Sequence, residues 1–278
     1  MNDRRIVIAG GTGLLGSACA DLLRSKGYTV QILSRKASND ENIVQWAPST
    51  RTIESNVIDG AFAVINLTGT PLDGKRWTDE YKKVLHQSRV EPAEFLGELI
   101  NQASTPPEVY VGAAGVAIYG DSGPSPIRES DRSVETSDFV VKLSHDWENA
   151  HPRHPEMRSV TIRIGIVMAK ESGFLPSVLA PARTGVFAYF GNGRQYMGWI
   201  HIEDLARLVV HSIENSEVNG TYNGAAEGKA MKEVMRDVRD AKGAIGIVAP
   251  VPGIVASIVL GEMAELLMWS CNPSNEKI

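Results

Sequence analysis

Short apolar runs alternate with stretches of helical spacing through the first hundred residues. "RRIVIAG" (4–10) predicts a strand, and "LLGSACADLLRSKG" (14–27) predicts an amphipathic helix closed by Gly27. "TVQILSR" (29–35) and "FAVINLTG" (62–69) predict two more strands. "TDEYKKVLHQSRVEPAEFLGELINQA" (78–103) has helical spacing, with Pro92 marking a break or a fresh start. "EVYVGAA" (108–114), "SVTIRIGIVM" (159–168) and "GTYNGAA" (220–226) add further strands. Strands alternating with helices in this way predict a parallel sheet covered on both faces, an α/β fold of the doubly wound kind.

After about residue 170 the rhythm changes. Glycines, prolines and aromatics crowd the chain until a helix begins near Glu203. The expected organisation is a nucleotide-binding domain over residues 1–170 and a small substrate-side lobe over 171–278, interleaved with the main sheet. The most apolar stretch, "AIGIVAPVPGIVASIVLG" (244–261), is interrupted by Pro250, Pro252 and Gly253. Its longest clean run is too short to span a bilayer. It reads as a docking helix that closes the lobe, with no membrane contact.

Length and charge narrow the picture. A chain of 278 residues suits one large α/β domain with or without a lobe. Its net charge of −5 offers no electrostatic footprint for nucleic acid. Cys19 and Cys271 make neither a disulfide framework nor a zinc site, and that usage fits a reducing cytoplasm. "MNDRRIVIAGG" has too short an apolar core for a secretory signal.

Candidate chemistry begins at "GGTGLLG" (10–16), where Gly10, Gly13 and Gly16 follow G-x-x-G-x-x-G spacing between the first strand and its helix. Glycine lets the backbone turn tightly and approach a pyrophosphate, which the helix N-terminus then faces. No Lys-Ser or Lys-Thr follows the last glycine, so a Walker-type loop is excluded. An NAD-selective site would carry an acid at the end of the second strand. Here the strand ends "ILSRK", with Arg35 flanked by Ser34 and Lys36, and the first acid is Asp40. A guanidinium pairs well with a 2′-phosphate, which points to NADP(H).

These features together resemble the short-chain dehydrogenase/reductase superfamily, in its extended or atypical branch. "NLTG" (66–69) is similar to a motif ending that superfamily's fourth strand. Longer blocks recur in order: "KRW" (75–77), "QSR" (87–89), "TPPEV" (105–109), "IYGD" (118–121), "RIGIVM" (163–168) and "GNGRQYMGWIHIEDL" (191–205). They resemble nucleoside-diphosphate-sugar epimerase-like proteins over residues 4 to about 225, and "LGEMAELL" (260–267) is similar to that group's small C-terminal region. The resemblance implies a Rossmann-type fold holding NADP(H) across the C-terminal edge of the sheet. It also implies that Gly10, Thr12, Gly13, Leu14 and Leu15 line the pyrophosphate, with Ser34 and Arg35 at the 2′-phosphate. Leu67 and Thr68 would lie beside the adenine-ribose half, Arg89 would reach the cofactor, and Val167 would approach the nicotinamide side. The group usually continues for another strand and helix past "SNEKI", and "MWSCNP" stands where a polar run is usual.

The same resemblance implies a Ser or Thr on the strand at 108–114 and a Tyr-x-x-x-Lys on the next helix (137–150). The tyrosine moves a proton, and the lysine lowers its pKa and binds ribose. Those positions hold Ala114, Phe139 and Leu143, and Lys142 points about 100° away from the lysine direction on an ideal helix. Tyr119 is the remaining weak candidate, a cleft group or an ordering group for its loop. His201 reads as a proton shuttle or a structural histidine. "HPRH" (151–154) mimics H-x-x-H, but Pro152 and Pro155 argue against a metal helix. Arg76, Arg89, Arg163 and Arg194 suit a phosphorylated or carboxylated substrate, or else surface ion pairs. Trp77, Tyr196 and Trp199 suit an aromatic wall for a nucleobase or sugar, or core packing. Three functions stay open: an NADP-dependent oxidoreductase or epimerase acting on a small sugar- or nucleotide-linked substrate, a reductase of another carbonyl compound, and a catalytically idle NADP(H)-binding regulatory or scaffold protein.

Overall fold

The computed structural model of the chain describes residues 4–131, 138–170 and 173–278. β1 (Arg5–Ala9) leads through α1 (Leu14–Ser25) to β2 (Thr29–Ser34), β3 (Ile43–Ala47) and a short β4 (Thr52–Ile53). The chain then crosses to β5 (Ala63–Asn66), α2 (Asp79–Gln102) and β6 (Val109–Gly115). After β7 (Pro126–Ile127) and α3 (Phe139–Asn149) come β8 (Arg158–Ile164) and β9 (Ile166–Met168). Next in the chain are α4 (Phe174–Ala182), β10 (Val186–Phe190), β11 (Tyr196–Met197) and β12 (Trp199–His201). α5 (Ile202–Glu214) and β13 (Gly220–Gly224) return to the main sheet. β14 (Lys229–Ala230), α6 (Met231–Ala241), β15 (Ile247–Val251), α7 (Gly253–Leu260), α8 (Met263–Met268) and β16 (Asn272–Pro273) follow.

Eight strands form the main sheet in the order β13-β8-β6-β5-β1-β2-β3-β4, parallel throughout except for the β3–β4 edge. The connection leaving β1 goes to one side and the later strands build on the other, so the order reverses between β1 and β5. The loops after these two strands therefore splay apart into a crevice, where doubly wound sheets bind ligands. Alternate residues bury on opposite faces. Ile6 and Ile8 pack with Cys19, Leu23, Leu205 and Val209 of α1 and α5, whereas Val7 and Val64 pack with Leu96 and Ile100 of α2. Residues buried on both faces explain why these strands read as continuous apolar runs.

Three sequence expectations need correction. α2 passes through Pro92 unbroken, because Leu85, Ala93, Leu96 and Ile100 bury one continuous face around the buried proline. That packing outweighs a proline penalty of about 3 kcal/mol. The strand expected over 159–168 divides at Gly165, whose N–H donates to Gly224 O at 3.0 Å while Ile166 N–H donates to Gly198 O at 2.8 Å. β8 thus stays in the main sheet, and β9 pairs with β12. The apolar stretch 244–261 is a strand followed by a helix: β15 pairs in parallel with β10, and α7 begins only after Pro252. β-Branched residues before the prolines favour the extended form.

Candidate functional site

β1 ends in a tight turn at Gly10, whose φ of +82° lies in the left-handed region. A Cβ there would stand 2.7 Å from the Leu67 carbonyl, and a Cβ on Gly16 would collide with the Gly10 carbonyl oxygen. Gly13 N–H donates to Gly10 O at 3.0 Å and closes the turn. Gly13 caps α1 without a side-chain bond, and the first turn holds no acid. Thr12, Gly13 and Leu14 are exposed, so the uncapped amides at the positive end of the helix face the crevice. Leu15 packs half-buried on the core below.

At the end of β2, the Ser34 hydroxyl accepts from Lys36 N–H at 3.0 Å. Arg35 is exposed and has no ion pair among the described residues. Across the crevice, buried Asn66 shapes the loop after β5. Its Oδ1 accepts from the Thr68 N–H at 3.2 Å and the Thr68 hydroxyl at 2.7 Å, and its Nδ2 donates to the Tyr110 hydroxyl at 3.1 Å. Leu67 and Val167 rest half-buried on the same core cluster, Val167 standing opposite Ile200.

Arg89 rises from α2 against this loop. It donates to Leu85 O at 3.0 Å and lies 5.0 Å from the Trp147 ring centroid. A Cβ on Gly69 would come within 3.2 Å of its Cζ. The side chain is 7% exposed and burial lowers its pKa to about 10, with no carboxylate paired to it among the described residues. A buried cation without a counter-ion favours an anionic ligand beside it.

The end of β6 is different in character. Ala113 and Ala114 are buried, and the His151 ring lies where a Gly112 side chain would be, 2.5–2.8 Å from the position of a Cβ. The Ala113 carbonyl can only accept, so His151 donates to it through Nε2 at 3.1 Å and accepts from Thr161 through Nδ1 at 2.9 Å. Burial lowers the pKa of this imidazole to about 4. Opposite Ala114, Arg163 forms a double hydrogen bond with Glu148, 2.9 Å at each contact. Burial alone would lower the Arg163 pKa, but the Glu148 carboxylate outweighs it and the net shift is upward. Arg163 also donates to the Tyr119 hydroxyl at 2.8 Å, and that hydroxyl donates to Asn223 Oδ1 at 2.8 Å.

Tyr119 is fully buried, and burial raises its pKa. Its hydroxyl is committed on both sides, so it orders the loop and does not face the cleft as a proton donor. Phe139, at the start of α3, meets Trp77 edge-to-face with centroids 5.5 Å apart. Leu143 is buried in the same cluster, onto which Met263, Leu266 and Trp269 pack.

Residues 6–225 match the NAD dependent epimerase/dehydratase family. The chain belongs to this family. Its relatives include the bovine (Bos taurus) epimerase family protein SDR39U1, 33% identical over 95% of this chain and 89% of that protein. Another is the Bacillus subtilis epimerase family protein YfhF, 32% identical over 95% and 88% of the two chains. Among solved structures, the human epimerase family protein SDR39U1 (isoform 2), crystallised with NADPH, superposes with a TM-score of 0.87 at 28% identity. That match covers 98% of this chain and 92% of the human one.

Several residues singled out from this epimerase-family sequence serve structure. His201 caps α5, its Nδ1 accepting from Glu203 N–H at 3.3 Å. His151 is committed as described, and no metal-binding group of His, Cys, Asp or Glu exists among the described residues. Arg163 is paired inside the fold, and Arg194 is exposed, so the four arginines do not form one cluster over the cleft. Arg76 reaches instead toward α7, 3.4 Å from Ile258 O. Trp77 donates to Leu72 O at 2.8 Å and packs in the core, and Trp199 packs against the cluster of Phe187, Met197 and Met231, its indole N–H buried and without a partner among the described residues. Sequence reading overlooked Asn66, Glu148 and Asn223 as site-shaping residues. Asn66 lies inside the "NLTG" block, so that motif carried the signal. Asn223 comes to Tyr119 only through the β8–β13 pairing. No helix among the described residues is long and apolar enough to cross a membrane.

Proposed function

We propose that this chain is an NADP(H)-binding member of the epimerase family that keeps the cofactor site but lacks the usual Ser/Tyr/Lys set. The observation carrying this reading is the glycine cradle: at Gly10 and Gly16 a Cβ would fill the space beneath the open amides of α1. Gly10, Thr12, Gly13, Leu14, Leu15 and Gly16 would hold the pyrophosphate, with Ser34 and Arg35 at the 2′-phosphate. Leu67 and Thr68 would hold the adenine-ribose half, Arg89 would supply an unpaired cation, and Val167 would flank the nicotinamide side. The human relative's structure with NADPH supports the choice of cofactor. Bound there, the cofactor would supply hydride transfer.

The acid–base side is where this member departs. Ala114 offers no hydroxyl, Phe139 and Leu143 sit in an apolar cluster, Lys142 is exposed, and Tyr119 is sealed in its network. A reduction of a carbonyl, on a sugar- or nucleotide-linked compound or another small molecule, would therefore take its proton from water. A second reading, a catalytically idle NADP(H)-binding regulatory protein, is favoured by the packing of α8 over the positions of the tyrosine and lysine.

Titration monitored by reduced-cofactor fluorescence tests the binding claim. NADPH should bind 10- to 100-fold tighter than NADH, the value of about 1.5–3 kcal/mol for a charge-assisted contact. Arg35→Ala should erase that preference while leaving NADH affinity unchanged. Equal affinities in the wild type would overturn the assignment of Arg35. Single-turnover oxidation of bound NADPH against nucleotide sugars and simple carbonyls then separates a reductase from an idle binder.

A further inference from the structure

The contact between α2 and α3 changes character along its length. Tyr81 and Leu85 of α2 share one buried apolar cluster with Leu143 of α3. One turn further along the two helices come Arg89 and Trp147, since residues four apart lie on the same face. Here the apolar contact gives way to a guanidinium against an indole, with Arg89 Cζ 5.0 Å from the centre of the Trp147 ring. The guanidinium also lies against Gly69, where a Cβ would stand 3.2 Å from Cζ, 3.3 Å from Nη2 and 3.4 Å from Nε. Its Nη1 donates to Leu85 O at 3.0 Å. A long and ordinarily flexible side chain is thus held in one place from three directions.

The chain neighbours of Trp147 show why an indole in this position matters. Asp146 and Glu148 flank it, and each has the charge to pair with a cation. Asp146 instead faces His86 of α2, with Oδ2 3.2 Å from Nε2. Glu148 holds Arg163 through two bonds of 2.9 Å. Arg89, 7% exposed, is left without a carboxylate partner among the described residues. A carboxylate fixes a guanidinium as firmly as a ring does, but it also cancels the charge. An aromatic face holds the cation and leaves its charge in place. The indole N–H is itself buried without a partner among the described residues, so no hydrogen bond there accounts for where the ring lies.

We infer that Trp147 is a positioning residue for the cofactor site: it holds Arg89 against the loop after β5 with the positive charge uncancelled, ready for the anionic part of NADP(H). The inference rests on the cofactor site proposed above. An arginine fixed before the ligand arrives loses little rotamer freedom on binding. The loop is fixed to the same helix, because Thr70 N–H donates to the Ser88 hydroxyl at 3.0 Å. Loop and cation therefore keep their spacing. Trp147 acts through Arg89 and not by touching the nucleotide.

Titration of the full chain with NADPH and with NADH, alongside its melting temperature, tests the inference. Trp147→Leu should weaken both nucleotides alike by roughly fivefold to thirtyfold, the range of a cation–π contact, and leave the preference set by Arg35 untouched. Trp147→Phe keeps an aromatic face and should bind within about twofold of the wild type. Trp147→Glu should bind more weakly than Trp147→Leu, because its carboxylate pairs with Arg89 and cancels the charge. In an Arg89→Ala background, Trp147→Leu should have no further effect on affinity. Full additivity there would make Trp147 a structural residue only and overturn the inference. So would a folded Trp147→Leu or Trp147→Glu variant that binds as tightly as the wild type. Trp147→Met, closer to tryptophan in volume, repeats the measurement should the leucine variant not fold. A wild type that binds neither nucleotide would overturn the cofactor site itself, an outcome distinct from any difference among the Trp147 variants.

Discussion

The loop after β1 and the end of β6 lie at the same edge of one sheet, yet they are built in opposite ways. The first consists of glycine and uncapped backbone amides, with Arg35 nearby and without an ion pair among the described residues. The second is closed: Ala114 is buried, the His151 ring lies against Gly112, and Arg163, Glu148, Tyr119 and Asn223 satisfy one another. Backbone turns and glycine spacing can make a binding site without reactive side chains, which is why the proposed function keeps the first region and not the second. On the proposed function, cofactor binding and proton chemistry are separable properties of this fold.

Substitutions separate the two regions. The largest effect is expected at Gly16→Ala, whose Cβ would collide with the Gly10 carbonyl. NADPH affinity should fall at least a hundredfold, about 2.7 kcal/mol by calorimetry, with the sheet still folded. At the closed end, Glu148→Gln leaves Arg163 buried without its charge partner and should destabilise the fold by about 3 kcal/mol in urea denaturation. Cofactor affinity should stay unchanged; a loss comparable to that of Gly16→Ala would mean the two regions are coupled.

His151 gives the closed region a pH signature. Its folded pKa of about 4 lies below the unfolded value near 6.5, so the unfolded chain takes up the proton first as pH falls. The contribution is complete above about pH 6.5 and is lost as pH falls toward 4, by about 3 kcal/mol in all. His151→Gln should flatten that part of the stability–pH curve, and an unchanged slope would assign the acid sensitivity elsewhere. The smallest effect is expected for Ala114→Ser. If the strand end still faces bound cofactor, a restored hydroxyl should speed single-turnover NADPH oxidation by roughly tenfold. No change in a measurably active protein would count against that placement.

Much of the open region was legible in the sequence because its signal is local. Three glycines at fixed spacing, one strand before and one helix after, are all contiguous. The closed region was legible only as the loss of expected side chains at Ala114, Phe139 and Leu143. What replaced them depends on contacts between distant residues: Tyr119 meets Asn223 across 104 positions, and Arg163 meets Glu148 across helix and strand. Pro92 misled for a related reason, since the buried face that carries α2 through it is visible only once the sheet is formed. Gly165 sat in plain view within a strand pattern, where a glycine signals a close backbone approach, and its Cβ would stand 2.7 Å from Gly198 O.

The loop that follows β6 waits long during synthesis. Ser122 and Gly123 both donate to Ser270 O, β7 pairs with β16, and Asn223 donates to Ser274 O. These partners leave the ribosome almost 150 residues after the loop itself, which places its closure among the last events of folding. α1 waits as well, because its buried face packs on Leu205 and Val209 of α5, so both sides of the crevice are completed only when the second half of the chain arrives. The glycine turn after β1 is thus local in sequence but not in folding, since its helix gains a seat only once the second half of the chain has been made.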